Sequence, residues 1–292
     1  MLKLALISEG VNTWPVYVAL SRGLWAKAGL AVELTVTGSS IHQLEQLKSG
    51  GFDIGFQQVD HIVRGVERGA DLFMFMAQSH APVLSLMASK DIGGVADLKG
   101  KTIIVDDPRT GYSLLLRQLL SRHGLGVEEA PFKLVGGSQE RFDAMKRGEG
   151  SACFINPPFD GQMLAAGFKR LGGSNDFFPD YPGPAAAARR SWACDHADEL
   201  IAFIRGFNEA YAWLGNDANR DEAIRLLPAR IAMPSDAAAR ALAQVYRQPR
   251  PQLSEDGVRQ VMALVWAAEQ FPTPMGSPAK YFDTRYLQKA GG

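Results

Sequence analysis

The spacing of apolar and polar positions changes several times along this chain and marks out most of its elements. Residues 4–7 are a short apolar run, residues 32–36 alternate apolar and polar, and residues 53–56 and 72–76 are again largely apolar. Runs of this length and composition predict strands. Between them the spacing turns helical. Trp14 and Pro15 open one helix, because proline lacks an N–H and the first helical turn does not use one; Val16, Ala19, Leu20 and Leu24 supply its apolar face. Ser40 predicts the cap of a second helix, with Ile41, Leu44 and Leu47 inward. A third covers residues 60–68 and stops at Gly69. Strands and helices in alternation predict a mainly parallel sheet with helices on both faces.

The same order restarts near residue 101. Strands are predicted over residues 103–105, 132–135 and 152–155, and helices over 112–122 and 139–146, with another opened by Pro157 and Pro158. Residues 47–56 line up with residues 145–154, both reading helix, glycine turn, strand, and Gly29-Leu30 matches Gly124-Leu125. The identities are few; the shared order of elements is the firmer sign of two similar α/β lobes. Beyond Pro184 a short apolar segment, residues 185–188, leads into a helical C-terminal part. Leu200, Phe203, Ile204, Phe207, Tyr211 and Leu214 recur at helical spacing behind a predicted cap at Asp195, and shorter helices follow over 220–227 and 235–245. Ser254 caps the last long helix, with Val258, Val261, Met262 and Val265 on its apolar face.

Composition narrows the function. The chain has 292 residues, 46% hydrophobic and 21% charged, with a formal net charge of zero. That is enough for two cores, and it offers no basic field to hold nucleic acid. The two cysteines, Cys153 and Cys194, make no disulfide framework, and neither a CxxC nor an HExxH motif is present, so no metal or cofactor is expected. No apolar run reaches the length of a membrane span, so no membrane insertion is expected. Met1 leads straight into Leu2, Lys3 and Leu4 without a signal-peptide pattern. Two readings stay open: the mature part of an exported, periplasmic protein given a start Met, or a cytoplasmic protein.

Several segments together resemble one family. Gly23-Leu24-Trp25 with Gly29-Leu30-Ala31-Val32-Glu33, then Ser49-Gly50-Gly51-Phe52-Asp53-Ile54-Gly55, then Asp97-Leu98-Lys99-Gly100-Lys101-Thr102-Ile103, resemble in order and spacing the type II periplasmic solute-binding proteins of ABC importers. The similar group binds nitrate, sulfonates, taurine and thiamine-pyrimidine precursors. Pro157-Pro158-Phe159 is similar to the group's Glu-Pro-Phe turn, with Pro in place of Glu. The resemblance implies an α/β fold of two Rossmann-like lobes joined by a two-crossing hinge, with a helical C-terminal part. It implies residues 1–85 and 187–292 in lobe I, residues 86–186 in lobe II, and crossings near 82–89 and 183–190. A monomer that closes on a small-molecule ligand and hands it to an ABC permease is what such a fold implies.

Open α/β sheets bind ligands beyond the carboxyl ends of their strands. The strand-end residues are Asn12, Thr13 and Trp14, then Ser39 and Ser40, then Gln57 and Gln58, then His80 in the first lobe. In the second they are Arg109, Thr110, Gly111 and Tyr112, then Ser138, then Asn156. This set is polar and mostly uncharged. Helix N-termini among these residues favour an anion. Arg109 offers a bidentate fork to a carboxylate, sulfonate or phosphate, or is a solvated loop charge beside Asp106 and Asp107. Trp14 and Tyr112 offer aromatic faces to a flat ligand, or Trp14 packs as core. Ser39, Ser40 and Thr110 also suit capping, and His61 reads as a surface or satisfied histidine.

These residues favour a solute-binding protein for an aromatic, pyrimidine-like, sulfonate or carboxylate ligand. The alternative is a cytoplasmic enzyme on the same fold, a decarboxylase or a desulfinase-like protein acting on an aromatic acid. A decarboxylase would draw on His80, Asp60 and Arg109. The desulfinase type needs a nucleophilic cysteine in the first-lobe cleft, where neither cysteine is expected, and the cysteine-rich motif of the yeast-type pyrimidine synthase is absent. A ligand-sensing module without a transporter is a third reading.

Overall fold

A computed structural model describes residues 1–80, 84–108, 110–126, 128–157, 159–179, 181–227 and 234–291. The chain divides into two compact units. The first comprises Met1–His80, Pro182–Val258 and Gly276–Gly292, and the second Ala81–Tyr181 and Arg259–Met275.

The first unit is built on a five-stranded sheet. Its strands are β1 (Leu2–Leu6), β2 (Val32–Val36), β3 (Ile54–Gln57), β4 (Leu72–Ala77) and, from much later in the chain, β10 (Ala185–Arg189). The order is β2-β1-β3-β10-β4; β1 pairs parallel with β2 and β3, and β10 runs antiparallel between β3 and β4. One face carries Leu2, Leu4, Leu6, Phe56, Phe73 and Phe75, packed with residues of helices Trp14–Ser21 and Ala197–Gly215. On the other face helix Ser40–Ser49 brings Gln43 and Leu47 against Gly55. Leu47 is fully buried, but Ile41 is 68% exposed, so Ile41 does not belong to the inward face as its spacing predicts. Gln43 takes that place, because its amide nitrogen donates to Phe56 O at 2.7 Å and so satisfies a buried polar group.

The second unit repeats the plan. Its strands are β5 (Ser85–Ala88), β6 (Ile103–Val105), β7 (Phe132–Leu134), β8 (Ala152–Ile155) and β9 (Lys169–Gly173), in the order β7-β6-β8-β5-β9. Again the strand at the centre of the reversal, β6, is parallel to both neighbours, and β5 is antiparallel to β8 and β9. The predicted repeat is therefore structural: β3 and β8 hold the same place, and helices Ser40–Ser49 and Ser138–Lys146 precede them by the same interval. Each of those helices is followed by a left-handed glycine, Gly50 at φ 89° and Gly148 at φ 72°, a conformation that costs a glycine little.

The antiparallel strands β5 and β10, and the edge strand β9, are not predicted as strands from the sequence. Four of the five residues of β10 are alanine, with little β propensity. All four are 0% exposed between β3 and β4, so position in the sheet overrides propensity. Capping also shifts. Ser39, not Ser40, is the cap of helix Ser40–Ser49 and accepts from His42 N at 3.2 Å. Asp195 ends helix Arg190–Asp195 and does not cap Ala197–Gly215. The predicted caps at Thr110 and Ser254 form, Ser254 Oγ accepting from Gly257 N at 3.0 Å.

The family-like segments are scaffold. Gly23 is left-handed at φ 64°, and Trp25 behind it is 2% exposed, stacked on Phe203 at 5.1 Å with its indole N–H donating to Phe203 O. Asp97 accepts from the backbone of Gly93 and Gly94 at 2.8 and 3.0 Å, which fixes the turn that leads to β6. None of the helices among the described residues is long and apolar enough to cross a membrane.

Candidate functional site

The carboxyl edge of the first sheet is polar; part of it is bonded internally, while Trp14 Nε1, Asp60 Oδ1, Ser79 Oγ and Arg250 Nε are buried without a hydrogen-bond partner among the described residues. Thr13 is 6% exposed, and its hydroxyl both donates to Gly10 O at 2.7 Å and accepts from Gly10 N at 3.1 Å. Asn12 O accepts from the side chain of Gln78 at 3.2 Å. The buried Gln57 donates to Ser40 O at 3.1 Å, and its carbonyl oxygen lies 2.8 Å from Nδ1 of His61, which is thereby satisfied. Gln58 stands at the start of helix Val59–Glu67 without capping it through its side chain. His80 Nε2 lies 2.7 Å from Pro249 O; a carbonyl only accepts, so this nitrogen carries the proton.

Trp14 is placed differently from a ligand platform. It is 0% exposed, one face stacks on Tyr246 at 6.1 Å and 15°, and Tyr246 in turn donates to Val11 O. Trp14 is core in the first unit and presents no face to a flat ligand. The acid expected to help a decarboxylase, Asp60, is 1% exposed; its Oδ2 pairs with Arg64 at 2.5 Å, and its Oδ1 is buried without a hydrogen-bond partner among the described residues. One residue at this edge escapes the sequence reading. Arg250 places its guanidinium 3.7 Å from Met76 Sδ, at the end of β4, and burial pulls its pKa down to about 10.

At the carboxyl edge of the second sheet, the predicted residues gather. Thr110 caps helix Gly111–Arg122, accepting from Ser113 N while its hydroxyl donates to Asp106 at 2.9 Å. Ser138 Oγ donates to Asn156 Oδ1, linking the loops after β7 and β8. Tyr112 lines a small cavity with Asp106, Ser113 and Arg141, closed by apolar residues of β6, β8 and the following helix. Gly111 is buried at the helix start. Arg109 lies outside the described residues.

Arg141 is the residue of this edge that sequence reasoning missed. It is 6% exposed, donates to Gly136 O at 2.6 Å and to Ser138 Oγ at 3.1 Å, and keeps a buried Nε–H without a partner. The signal was present in the helical spacing. Arg141 falls on the face of Ala144 and Met145, both buried, where a charged residue is out of place.

The chemistry of nucleophiles is poor here. Cys153 lies within β8, and burial pushes its thiol up to about 12; Cys194 is exposed in the helix after β10. No group of three or more His, Cys, Asp or Glu side chains among the described residues is arranged to hold a metal ion.

Known proteins share this architecture. The periplasmic aliphatic sulphonate binding protein SsuA of Escherichia coli superposes with a TM-score of 0.76 at 20% identity, over 93% of this chain and 88% of that one. The periplasmic nitrate-binding protein NrtA of Synechocystis PCC 6803 gives 0.80 at 16% identity, over 99% and 88%. At these identities the likeness is one of fold. In sequence, a Brucella abortus protein provisionally named a binding protein is 25% identical over 205 residues, 66% of this chain, and the chain spans 60% of that relative's length. The family profile described as NMT1/THI5 like matches residues 11–220, the larger part of both units, and the chain belongs to that family.

Proposed function

We propose that this protein is a solute-binding protein that holds one small organic ligand and presents it to an ABC permease. The observation that carries the reading is the pair of sheet edges. In each unit the parallel strands end in mostly uncharged polar side chains and capped helix starts, the place and chemistry by which open α/β sheets take small ligands. Family membership and the binding roles named for the structural relatives support it. The ligand class is a sulfonate, a carboxylate or a flat aromatic or pyrimidine-like compound, with Asn12, Ser39, Gln58, Thr110, Tyr112, Ser138 and Asn156 as contacts. The periplasm is the compartment that fits this role, and the two compact units are its lobes, the second taking residues 259–275 in addition to the middle of the chain. An enzyme is disfavoured, since His80 is already bonded elsewhere and the Cys153 thiol stays protonated.

Thermal denaturation against alkanesulfonates, aromatic carboxylates, pyrimidines and nitrate tests the reading. At least one class raises the melting temperature in a concentration-dependent way, and mass spectrometry recovers it unchanged. A panel with no shift, or a ligand that is consumed, overturns it.

A further inference from the structure

Each sheet has two edge strands, whose outer N–H and C=O groups can pair with another chain unless something blunts or covers them. The edges are β2 and β4 in the first unit and β7 and β9 in the second. Three of the four carry charge within the strand: Glu33 in β2, Lys133 in β7, and Lys169 and Arg170 in β9. A charge on an edge strand opposes pairing with a copy of itself, because like charges are brought together. β4 is the exception. It reads Leu-Phe-Met-Phe-Met-Ala over Leu72–Ala77, with no charge, proline or glycine, and all six residues are buried. An uncharged apolar run of this kind is the composition that pairs most readily with its own copy.

β4 is also the edge that the chain covers. Met74 N donates to Tyr281 O at 2.8 Å, and Asp283 N donates to Met74 O at 2.9 Å. These two bonds make Phe282 the parallel partner of Met74, the one bridge outside the named strands among the described residues. The segment is fastened on both sides of that bridge. Before it, Glu67 accepts from the side chains of Lys280 and Tyr281, and Arg190 donates to Lys280 O at 2.7 Å. After it, Tyr286 packs on Phe73 at 5.9 Å and its hydroxyl donates to Ala193 O at 3.2 Å. Two backbone bonds add modestly to stability; what they take away is an open edge.

We propose that residues 276–291 guard a self-association surface: the outer edge of β4 pairs with the β4 of a second copy of this chain when the segment leaves it. The occupant follows from the strand's own chemistry. Two identical edges related by a two-fold axis pair antiparallel, and with no charge in the strand nothing repels across the pair. The three other edges need no such guard, since their charges supply the repulsion. The surface lies within the first unit and does not depend on which ligand the protein holds.

Sedimentation and amide hydrogen exchange on the full chain test it. Proline lacks the N–H that Asp283 donates to Met74 O, so Asp283→Pro loosens the segment, while Asp283→Ala loses the same carboxylate and keeps the N–H. In the wild type the Met74 amide is protected and the sedimentation coefficient is independent of concentration. In dilute Asp283→Pro the Met74 amide exchanges about 5- to 10-fold faster, and a larger species forms as the concentration rises. In that species the Met74 amide is protected again, and Asp283→Ala behaves as the wild type. A proline variant of unchanged size at every concentration, an associated form whose Met74 amide still exchanges fast, or equal association of Asp283→Ala overturns the proposal. Should Asp283→Pro fail to fold, the wild type in sub-denaturing urea decides: the Met74 amide opens before those of β1, and its exchange slows as protein concentration rises. Opening only with global unfolding, or a rate that ignores concentration, overturns it.

Discussion

The thiol of Cys153 sits in β8 at 0% exposure, and burial pushes its pKa up to about 12, whereas Cys194 is exposed on a helix. Thiolates, not thiols, react with electrophiles. Maleimide at pH 7.5 therefore labels one cysteine of the native protein, Cys194, and two after unfolding in guanidinium chloride; mass spectrometry counts them. Two labels on the folded chain would contradict the burial. Trp14 makes the same point for an aromatic side chain. Removing a fully buried indole leaves a cavity, so Trp14→Ala lowers stability by about 3–5 kcal/mol in a urea titration. A tryptophan that served only as an exposed ligand platform would cost well under that.

Between elements, two contacts in the first unit tie distant parts of the chain together. Helix Ala197–Gly215 approaches Trp25 at Gly206, where an added Cβ would lie 2.4 Å from the indole ring. The ring is fixed by its bond to Phe203 O and its stack on Phe203, so it has no room to yield. Gly206→Ala consequently destabilises by about 1–3 kcal/mol despite the better helix propensity of alanine, read as a lower urea midpoint at unchanged slope. The C-terminal segment is tied back by Glu67, which accepts from Lys280 Nζ at 2.5 Å and Tyr281 Oη at 2.7 Å. Burial alone would raise the Glu67 carboxyl; the bonds from Lys280 and Tyr281 outweigh it and hold the pKa below the ordinary value. A depressed folded pKa stabilises the native state above the unfolded pKa, near 4.3, and that contribution fades as pH falls through the folded value. Glu67→Gln is thus less stable than wild type by about 1 kcal/mol at pH 7, and the difference shrinks below about pH 4. A gap constant from pH 7 to pH 3 would rule out the ionised carboxylate as its source.

At the scale of the whole molecule, ligand binding couples to stability by mass action. A ligand present at about 100 times its Kd stabilises the native state by about 2.7 kcal/mol. For a chain of this length that is a rise of roughly 5–10 °C in melting temperature, provided both units unfold together. Two transitions in calorimetry, with only one shifted by ligand, would show that the units melt separately. The repeated strand order of the two sheets also gives the molecule two equivalent helix starts with different chemistry. Gln43 closes its own hydrogen bonds, and Arg141 leaves one open.

The sequence by itself determined the alternation of strand and helix, the restart near residue 101 and the helical C-terminal part. Apolar spacing and glycines such as Gly50 and Gly148 act locally, and local forces are written in consecutive residues. Its family-like segments proved to be scaffold: Trp25 packs, Asp97 fixes a turn, and Gly23 supplies a left-handed backbone. That is why the fold was legible and the ligand was not. Only tertiary structure decided that the alanines of β10 form a strand, since their burial comes from β3 and β4, which precede it by more than a hundred residues. It also took Trp14 into the core and put Arg141 beside a cavity. Both outcomes depend on which distant groups surround a side chain, Tyr246 for the one and the ends of β6 and β8 for the other. The strand-end position of a residue was readable in the sequence; whether its polar atoms were already satisfied was not, because hydrogen-bond partners are set by contacts across the fold.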